Sequence, residues 1–472
     1  MSFSTHNRPS SNQPSIAQQE NGEHNHHHEH NCCNHHHHHH HEQQPVDVSP
    51  TVEHSIVNGK PILVNYAEKY VKHVDCECCA DAGFEGPEKR LEVDFRPKKS
   101  DLPAYQEYLS HHNQDANSSE EEETANPNYY NLMNITDETW QSMLDLACCR
   151  ILSKKENEHF SCYVLSESSL FVFRRKIVIK TCGTTTLLGI LKRMKEIADS
   201  QGLEAELVIY SRKNFVFPHR QPHPHSSFEE ELRYLTEEYP GGEGHVVGSV
   251  LSDHWYLYIC DMQGVDDQIR KDPDQTLEVL MHDLDPEVMK QFMEASRKDR
   301  PAGMTIEQQS GIDKLLPGSE IDSFEFDPCG YSMNGLLGKC YWTIHITPED
   351  HCSFVSFETN VKSSKVQYYS ELIERVIHTF RPGRFTVTLF ADDHWDIRHE
   401  DHTLHRTPST DDHTTLLDKE SFQIHNTNLL KTYNAFTNLA LGDEYKLKSK
   451  TFYEFTGGYN LTFTNFAKIV NN

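Results

Sequence analysis

The order strand, helix, strand occurs once in each half of this chain, and that recurrence limits the available folds more than any other feature. In the first half "KIVIKTCG" (Lys176 to Gly183) has the apolar run of a strand. Leu187, Leu191, Met194 and Ala198 then recur at helical spacing until Gly202 can cap the helix end, and "AELVIYS" (Ala205 to Ser211) is again a strand. In the second half "SFVSFETN" leads through "SELIERVIHTF" into "RFTVTLF", with Pro382-Gly383 expected to mark the turn. Paired strands such as "HVVGSV" and "WYLYIC" about a Ser252-Asp253 turn favour antiparallel pairing over a continuous βαβ winding. The pattern predicts two antiparallel sheets with helices outside them.

Composition divides the 472 residues. Residues 1–75 are rich in His, Asn, Gln and Ser and culminate in "EHNHHHEHNCCNHHHHHHHE"; such sequence lacks the apolar area to offset chain entropy, so a disordered leader is expected, with the folded domain over 76–472. Its histidines, beside Cys32 and Cys33, would chelate zinc, nickel or copper adventitiously. Acid-rich stretches at 111–128 and 392–415 read as solvated loops. The formal charge of -28, from 72 acids against 44 bases, argues against nucleic acid or an anionic membrane as principal partner. No run of eighteen apolar residues and no signal-like N-terminus stand out. Thirteen irregularly spaced cysteines suit a reducing compartment, so a soluble cytoplasmic protein is expected. Cys76, Cys78 and Cys79 lack a second matching pair, and no metal site is assigned.

Against that background "YVLSESSLFVFRRKIVIKTCG" (Tyr163 to Gly183) is anomalous: two apolar strands flank Glu167-Ser168-Ser169, a polar break that folding alone does not call for. No GxGxxG follows a strand, no Walker lysine motif is present, and "HEDH" (His399 to His402) lacks the helical face of a zinc protease. No local signature about Cys182 or Cys329 marks a thiol protease. Three other segments stand out. "DAGFEGPEKRLEVDF" (Asp81 to Phe95) gathers Glu85, Glu88 and Glu92 near Phe84, as a charged helix start would also do. "FDPCGYSMNG" (Phe326 to Gly335) is glycine-rich, with an exposed-looking aromatic and Ser332. In "YWTIHITPE" (Tyr341 to Glu349) Thr343, His345 and Thr347 share one strand face opposite Trp342, Ile344 and Ile346. A histidine so placed is more often structural than catalytic.

Taken in order, "LSESS", "KTCGTT", "YSRKNF", "PDQTLEVLM", "DPCGYSMNG", "YWTIHITPE" and "SFETN" resemble the eukaryotic S-adenosylmethionine decarboxylases over about Phe84 to Phe466, with "GPEKR" and "GTTTLL" leaning towards fungal relatives. The resemblance implies an α+β fold, a four-layer α/β/β/α sandwich that is internally duplicated. It further implies a proenzyme that cuts itself between Glu167 and Ser168, leaving a β chain (1–167) and an α chain (168–472). The Ser168 hydroxyl attacks its own preceding carbonyl, the amide becomes an ester, and β-elimination with loss of ammonia leaves a pyruvoyl group. That covalent cofactor forms a Schiff base with S-adenosylmethionine and serves as electron sink for loss of carbon dioxide, towards spermidine and spermine synthesis.

By the same resemblance Ser332 and His345 assist processing, with His345 taking the α-proton, and Cys182 reprotonates the substrate carbon. Phe84 and Phe326 stack the adenine, and Glu349 accepts the ribose hydroxyls. Glu85 and Glu88 belong to the same pocket. An acidic cluster that holds the activator putrescine in animal and yeast members corresponds to Glu92, Asp274, Glu278 and Glu358, with Lys180, Thr276 and Ser211 around it. Arg90 and Ile209 depart from the animal pattern, which has leucine and phenylalanine there, so a built-in cation stands as the alternative to putrescine. Animal relatives are homodimers of cleaved protomers. A catalytically silent regulatory partner would be expected to lose the Glu-Ser pair or the catalytic cysteine, and a histidine-rich metal-binding protein would draw its function from the leader alone.

Overall fold

The computed structural model describes residues 56–57, 60–61, 83–101, 103, 106, 130–262, 275–361, 366–392, 439, 441–455 and 458–469. The chain divides into units Met1–Val64 and Asn65–Asn472. In the first, β1 (Ile56–Val57) and β2 (Lys60–Pro61) pair antiparallel. The rest of the expected leader, the cysteines at 32, 33, 76, 78 and 79, and the loops 111–128 and 393–415 lie outside the described residues.

The second unit contains two eight-stranded sheets. Sheet one runs β4 (Ile151–Glu156), β5 (Phe160–Leu165), β6 (Ser168–Phe173), β7 (Lys176–Thr181), β3 (Lys89–Pro97), β8 (Leu203–Lys213), β10 (His254–Asp261) and β9 (Glu243–Gly248). Sheet two runs β12 (Glu320–Glu325), β13 (Tyr331–Leu337), β14 (Cys340–Thr347), β15 (Phe354–Thr359), β11 (Gln275–Leu284), β16 (Pro382–Asp392), β18 (Tyr459–Lys468) and β17 (Tyr445–Phe455). Neighbouring strands within each sheet pair antiparallel, and the second order repeats the first with every strand advanced by one sheet, which is the duplication expected.

Alternation along the strands produces the layers. One face of sheet one packs Leu91, Val93 and Tyr210 against helices α1 (Asp137–Leu144), α2 (Leu191–Ser200) and α3 (Phe228–Glu238), whose buried stripes include Trp140, Met194 and Leu235. Sheet two likewise packs Val279, Trp342 and Ile344 against α4 (Val366–Phe380), through Leu372, Ile373 and Val376. The other two faces meet each other. At one end Leu207, Trp255 and Leu257 pack on Phe354, Leu461 and Phe463; at the other Phe160, Phe171 and Val178 pack on Leu336 and Tyr341. Helices, sheet, sheet, helices is the four-layer α+β arrangement.

Two local expectations are refined. Gly202 ends α2 with φ +69°, as expected. Pro382 and Gly383 instead begin β16, and the reversal falls on Arg381, which takes φ +48° and frees the strand to start at once. Among the described residues no helix is long and apolar enough to cross a membrane.

Candidate active site

Between the two apolar patches the facing sheets turn polar. The residues responsible follow from alternation: on β3 and the residue before it, Glu88, Arg90 and Glu92 share the face towards sheet two, while Lys89, Leu91 and Val93 face the helices.

The hairpin joining β5 to β6 carries the polar break. Ser168 pairs with Leu165 on one side and with Thr181 of β7 on the other, so its backbone is held by two ladders. It is held at φ +129°, where an L-residue is strained by about 1–3 kcal/mol. The side chain is buried, and its hydroxyl donates to Glu88 Oε1 at 2.6 Å. Burial pushes the Glu88 carboxyl up, but Lys180 Nζ at 3.0 Å from Oε2, His345 and the Ser168 hydroxyl outweigh it and hold the group below its usual range. The carbonyl that precedes Ser168 is engaged as well: Glu167 O accepts the Cys182 backbone N–H at 3.0 Å and the Cys182 thiol at 3.4 Å. A hydroxyl with a carboxylate acceptor stands beside a carbonyl whose oxygen is already hydrogen-bonded, the pattern of an oxyanion site.

Sheet two faces this junction with a grid of cross-strand pairs. Ser332 lies opposite His345 and Asn334 opposite Thr343. His345 Nδ1 is 2.8 Å from Ser332 Oγ, while Nε2 is 2.8 Å from Thr343 Oγ1, 3.1 Å from Ser169 Oγ and 3.6 Å from Glu88 Oε1. Burial pushes the imidazole down to about 4 despite Glu88, so it is neutral at ordinary pH. Ser169 donates to Asn334 Oδ1 at 2.6 Å, and Asn334 Nδ2 is buried without a partner among the described residues. His345 is therefore hydrogen-bonded to Ser169 rather than to Ser168, and Ser332 meets the junction only through His345.

Cys182 follows β7 directly. Its thiol is pushed well up by burial, then by Glu167 and Glu88, and so stays protonated. The next residue, Gly183, has φ +63°; a β-carbon there would lie 3.0 Å from the Phe84 ring and 3.2 Å from Glu167 Oε2, so the close approach requires glycine. Burial raises the Glu167 carboxyl to about 7, with Lys89 pulling the other way.

Two residues missed in the sequence hold this turn. Lys89 is fully buried and donates to Gly183 O and to Gln221 Oε1, each at 3.1 Å, and Gln221 Nε2 also reaches Gly183 O at 3.3 Å. The available signal was a lysine in phase with Leu91 and Val93. The carboxylate of Glu85, expected in the same pocket, accepts the backbone N–H groups of Val216 at 2.8 Å and Phe217 at 2.6 Å and so clamps that loop. Burial raises it nonetheless, more than those bonds lower it.

Of the expected substrate groups, the Phe84 ring packs at this turn. Phe326, half-buried rather than exposed, meets Phe324 edge-on at 4.9 Å. Glu349 follows β14, close to Cys352, and Cys352 in turn packs over Gly83 beside Phe84.

Deeper between the sheets the acidic cluster contains its own cations. Arg90 donates to Glu358 Oε1 at 3.0 Å, Glu92 Oε2 at 2.6 Å, Tyr341 at 3.3 Å and Thr276 at 3.4 Å. Lys180 lies 2.8 Å from Glu358 Oε2 and 3.5 Å from Glu278, and Lys176 is 2.6 Å from Glu92. Burial, then Glu358, raises Glu278 to about 8, so it keeps a proton near neutrality. Ser211 lies on β8 opposite Arg90, Ile209 is buried in the apolar patch beside the cluster, and Asp274 falls outside the described residues.

Comparison with known proteins places the chain in one family. The profile described as adenosylmethionine decarboxylase matches residues 81–467. The chain is 40% identical over 393 residues to the S-adenosylmethionine decarboxylase proenzyme of Dictyostelium discoideum, covering 82% of this chain and 86% of that one. It is 45% identical over 276 residues to the proenzyme of Drosophila melanogaster, covering 55% and 77%. A crystal structure of the Trypanosoma brucei AdoMetDC-delta26 monomer is 27% identical and covers 64% of this chain and 99% of its own, with TM-score 0.44.

Proposed function

The chain belongs to the adenosylmethionine decarboxylase family, and from that membership we propose how its own residues first make and then use the reactive group. The enzyme removes the carboxyl group of S-adenosylmethionine as carbon dioxide, leaving the aminopropyl donor of spermidine and spermine synthesis.

Processing begins at Ser168. Glu88 accepts the hydroxyl proton, Oγ bonds to the Glu167 carbonyl carbon, and charge gathering on that oxygen is met by the Cys182 N–H. The carbon–nitrogen bond then breaks, so an ester replaces the amide and the amine of Ser168 is freed. Moving the acyl group from nitrogen to oxygen also releases the strain at φ +129°. His345, neutral and fixed by Ser332 at Nδ1, is the base for the α-proton, working at the Ser169 edge of the junction. Elimination expels Glu167 as a carboxylate, and hydrolysis with loss of ammonia leaves a pyruvoyl group at position 168. Asn334 Nδ2, buried and without a partner among the described residues, is left as a donor fit to face its oxygens.

Once formed, that ketone supplies the electron sink that decarboxylation requires. The chain supplies the rest. Phe84 and Phe326 stack the adenine and attract the sulfonium, and Glu349 receives the ribose hydroxyls. Cys182, kept as a thiol by burial and its acidic neighbours, returns a proton to the α-carbon.

The acidic cluster replaces an activating diamine with side chains. Arg90 and Lys180 stand among the carboxylates of Glu88, Glu92 and Glu358, and Lys176 is shared between Glu92 and Asp94, so side chains of the protein supply cations at this cluster in place of an added dication. Processing and turnover are therefore independent of putrescine.

The observation that carries this reading is the 2.6 Å bond from the Ser168 hydroxyl to Glu88 beside a carbonyl held by Cys182. Intact mass measurement tests it. Purified protein gives two chains, the second with a pyruvoyl group in place of Ser168, and Ser168→Ala gives one uncut chain. A single unmodified chain from folded wild-type protein would overturn it.

A further inference from the structure

The loop after β14 carries Glu349, His351 and Cys352, of which the reaction uses only the first. A carboxylate oxygen, an imidazole nitrogen and the Cys352 sulfur lie within 4.8 Å of one another. The convergence depends on Gly83: a β-carbon there would stand 2.2 Å from His351 Nε2 and 2.6 Å from Cys352 Sγ, so only a bare α-carbon lets both atoms settle over it. Oxygen, nitrogen and sulfur donors together suit a borderline-soft divalent ion, above all zinc, with bonds of about 2.0–2.3 Å. A tetrahedral ion needs its donors roughly 3.3–3.8 Å apart, so closure asks for a movement of about 1 Å, within the rotation of the exposed His351. Cys352 is 7% exposed; burial, then Glu349, pushes its thiol up to about 12, with the Phe84 backbone N–H pulling the other way, so the ion must displace the thiol proton on binding.

We propose that Glu349, His351 and Cys352 bind zinc at the mouth of the substrate site, and that the ion inhibits by occupying the carboxylate that receives the ribose. The inference rests on the reading of Glu349 as that acceptor. On binding, zinc replaces the Sγ proton, which passes to solvent, and water fills the fourth position. No chain bond is broken and no oxidant is needed.

The test uses processed, full-length protein titrated with zinc sulfate, and with cobalt(II) as a spectroscopic probe. Zinc is expected to raise KM with kcat unchanged. His351→Ala and Cys352→Ser keep normal zinc-free turnover but need roughly 10- to 100-fold more zinc for the same effect. A thiolate-to-cobalt absorption band present in wild type is diminished in Cys352→Ser; the leader's histidines and cysteines are common to all the proteins, so the difference reports this loop. Equal zinc inhibition of wild type and both variants, or identical cobalt spectra, would overturn the site. Glu349→Gln without zinc separates the two readings: an unchanged KM sinks the ribose assignment, whereas the Cys352-dependent band stands or falls independently of it.

Discussion

Burial decides which proton sits where at the Glu167–Ser168 junction, and it predicts an acid limit for processing. Glu88 is held below its usual range, and His345 is pushed down to about 4 by desolvation. Both are therefore already in their basic forms at pH 6, where a solvent-exposed histidine would be largely protonated. Cleavage should persist through pH 5 and fail as pH falls through about 4, as measured by the cut fraction of freshly folded protein against pH; a half-point near 6.5 would contradict a buried neutral base. Lys89 makes a second case. Burial lowers it to about 8, the Cys182 loop being the largest counterweight, and its acceptors are neutral oxygens. Lys89→Met removes a charged donor from Gly183 O, so kcat should drop about 10- to 100-fold with KM little changed, and an alkaline limb near pH 8 should vanish. Lys89→Arg should recover part of the rate; a KM effect alone would make the residue merely structural. This contribution was hard to read in the sequence, because a lysine's burial depends on which face of β3 meets α2 and α3. Ser168, Cys182 and His345 were legible only because seven strings in order resembled one family.

At the level of single strands, the alternation of β3 places three charges in one stack and sets up an exchange experiment. Arg90 bridges Glu92 and Glu358, all three of them buried. Arg90→Leu removes one buried positive charge and leaves Glu358 with Lys180 and Glu92 with Lys176, at a cost of about 3–5 kcal/mol. Its melting temperature should fall, and putrescine should restore it and stimulate turnover, while wild type responds to neither; a diamine response in wild type would remove the built-in cation from the account. The fold was readable to the same depth as such patterns. β7, α2, β8, β15, α4 and β16 follow from periodicity, and the β9–β10 hairpin from its paired runs and turn. Periodicity is local, however. It does not say that β3 lies between β7 and β8, nor that β11 returns to the middle of sheet two, because those neighbours are chosen by long-range pairing. The clamp of Glu85 on Val216 and Phe217 was missed for the same reason: it spans 131 and 132 residues.

Across the whole molecule, the position of the proposed cut would determine how the product holds together. Residues up to Glu167 contribute β3, β4 and β5; every later strand of sheet one, and all of sheet two, lies beyond the break. β5 pairs with β6 along Phe160 to Leu165, and β3 is hydrogen-bonded on both edges, to β7 and to β8. The first fragment thus supplies one edge of the sheet, β4 and β5, and a central strand, β3, set between strands of the second, and Leu91 and Val93 are fully buried in the shared core. Separating the fragments requires unzipping three ladders at once and exposing that core, so it should coincide with global unfolding. Native size exclusion should show both fragments in one particle. In urea, loss of co-elution and loss of intrinsic fluorescence should share one midpoint. Refolding should then distinguish the two forms: processed protein must reassemble from two chains and should recover in a concentration-dependent way, whereas uncut Ser168→Ala should refold at a rate independent of concentration. Fragments that part below the fluorescence midpoint would show that the central position of β3 does not bind them.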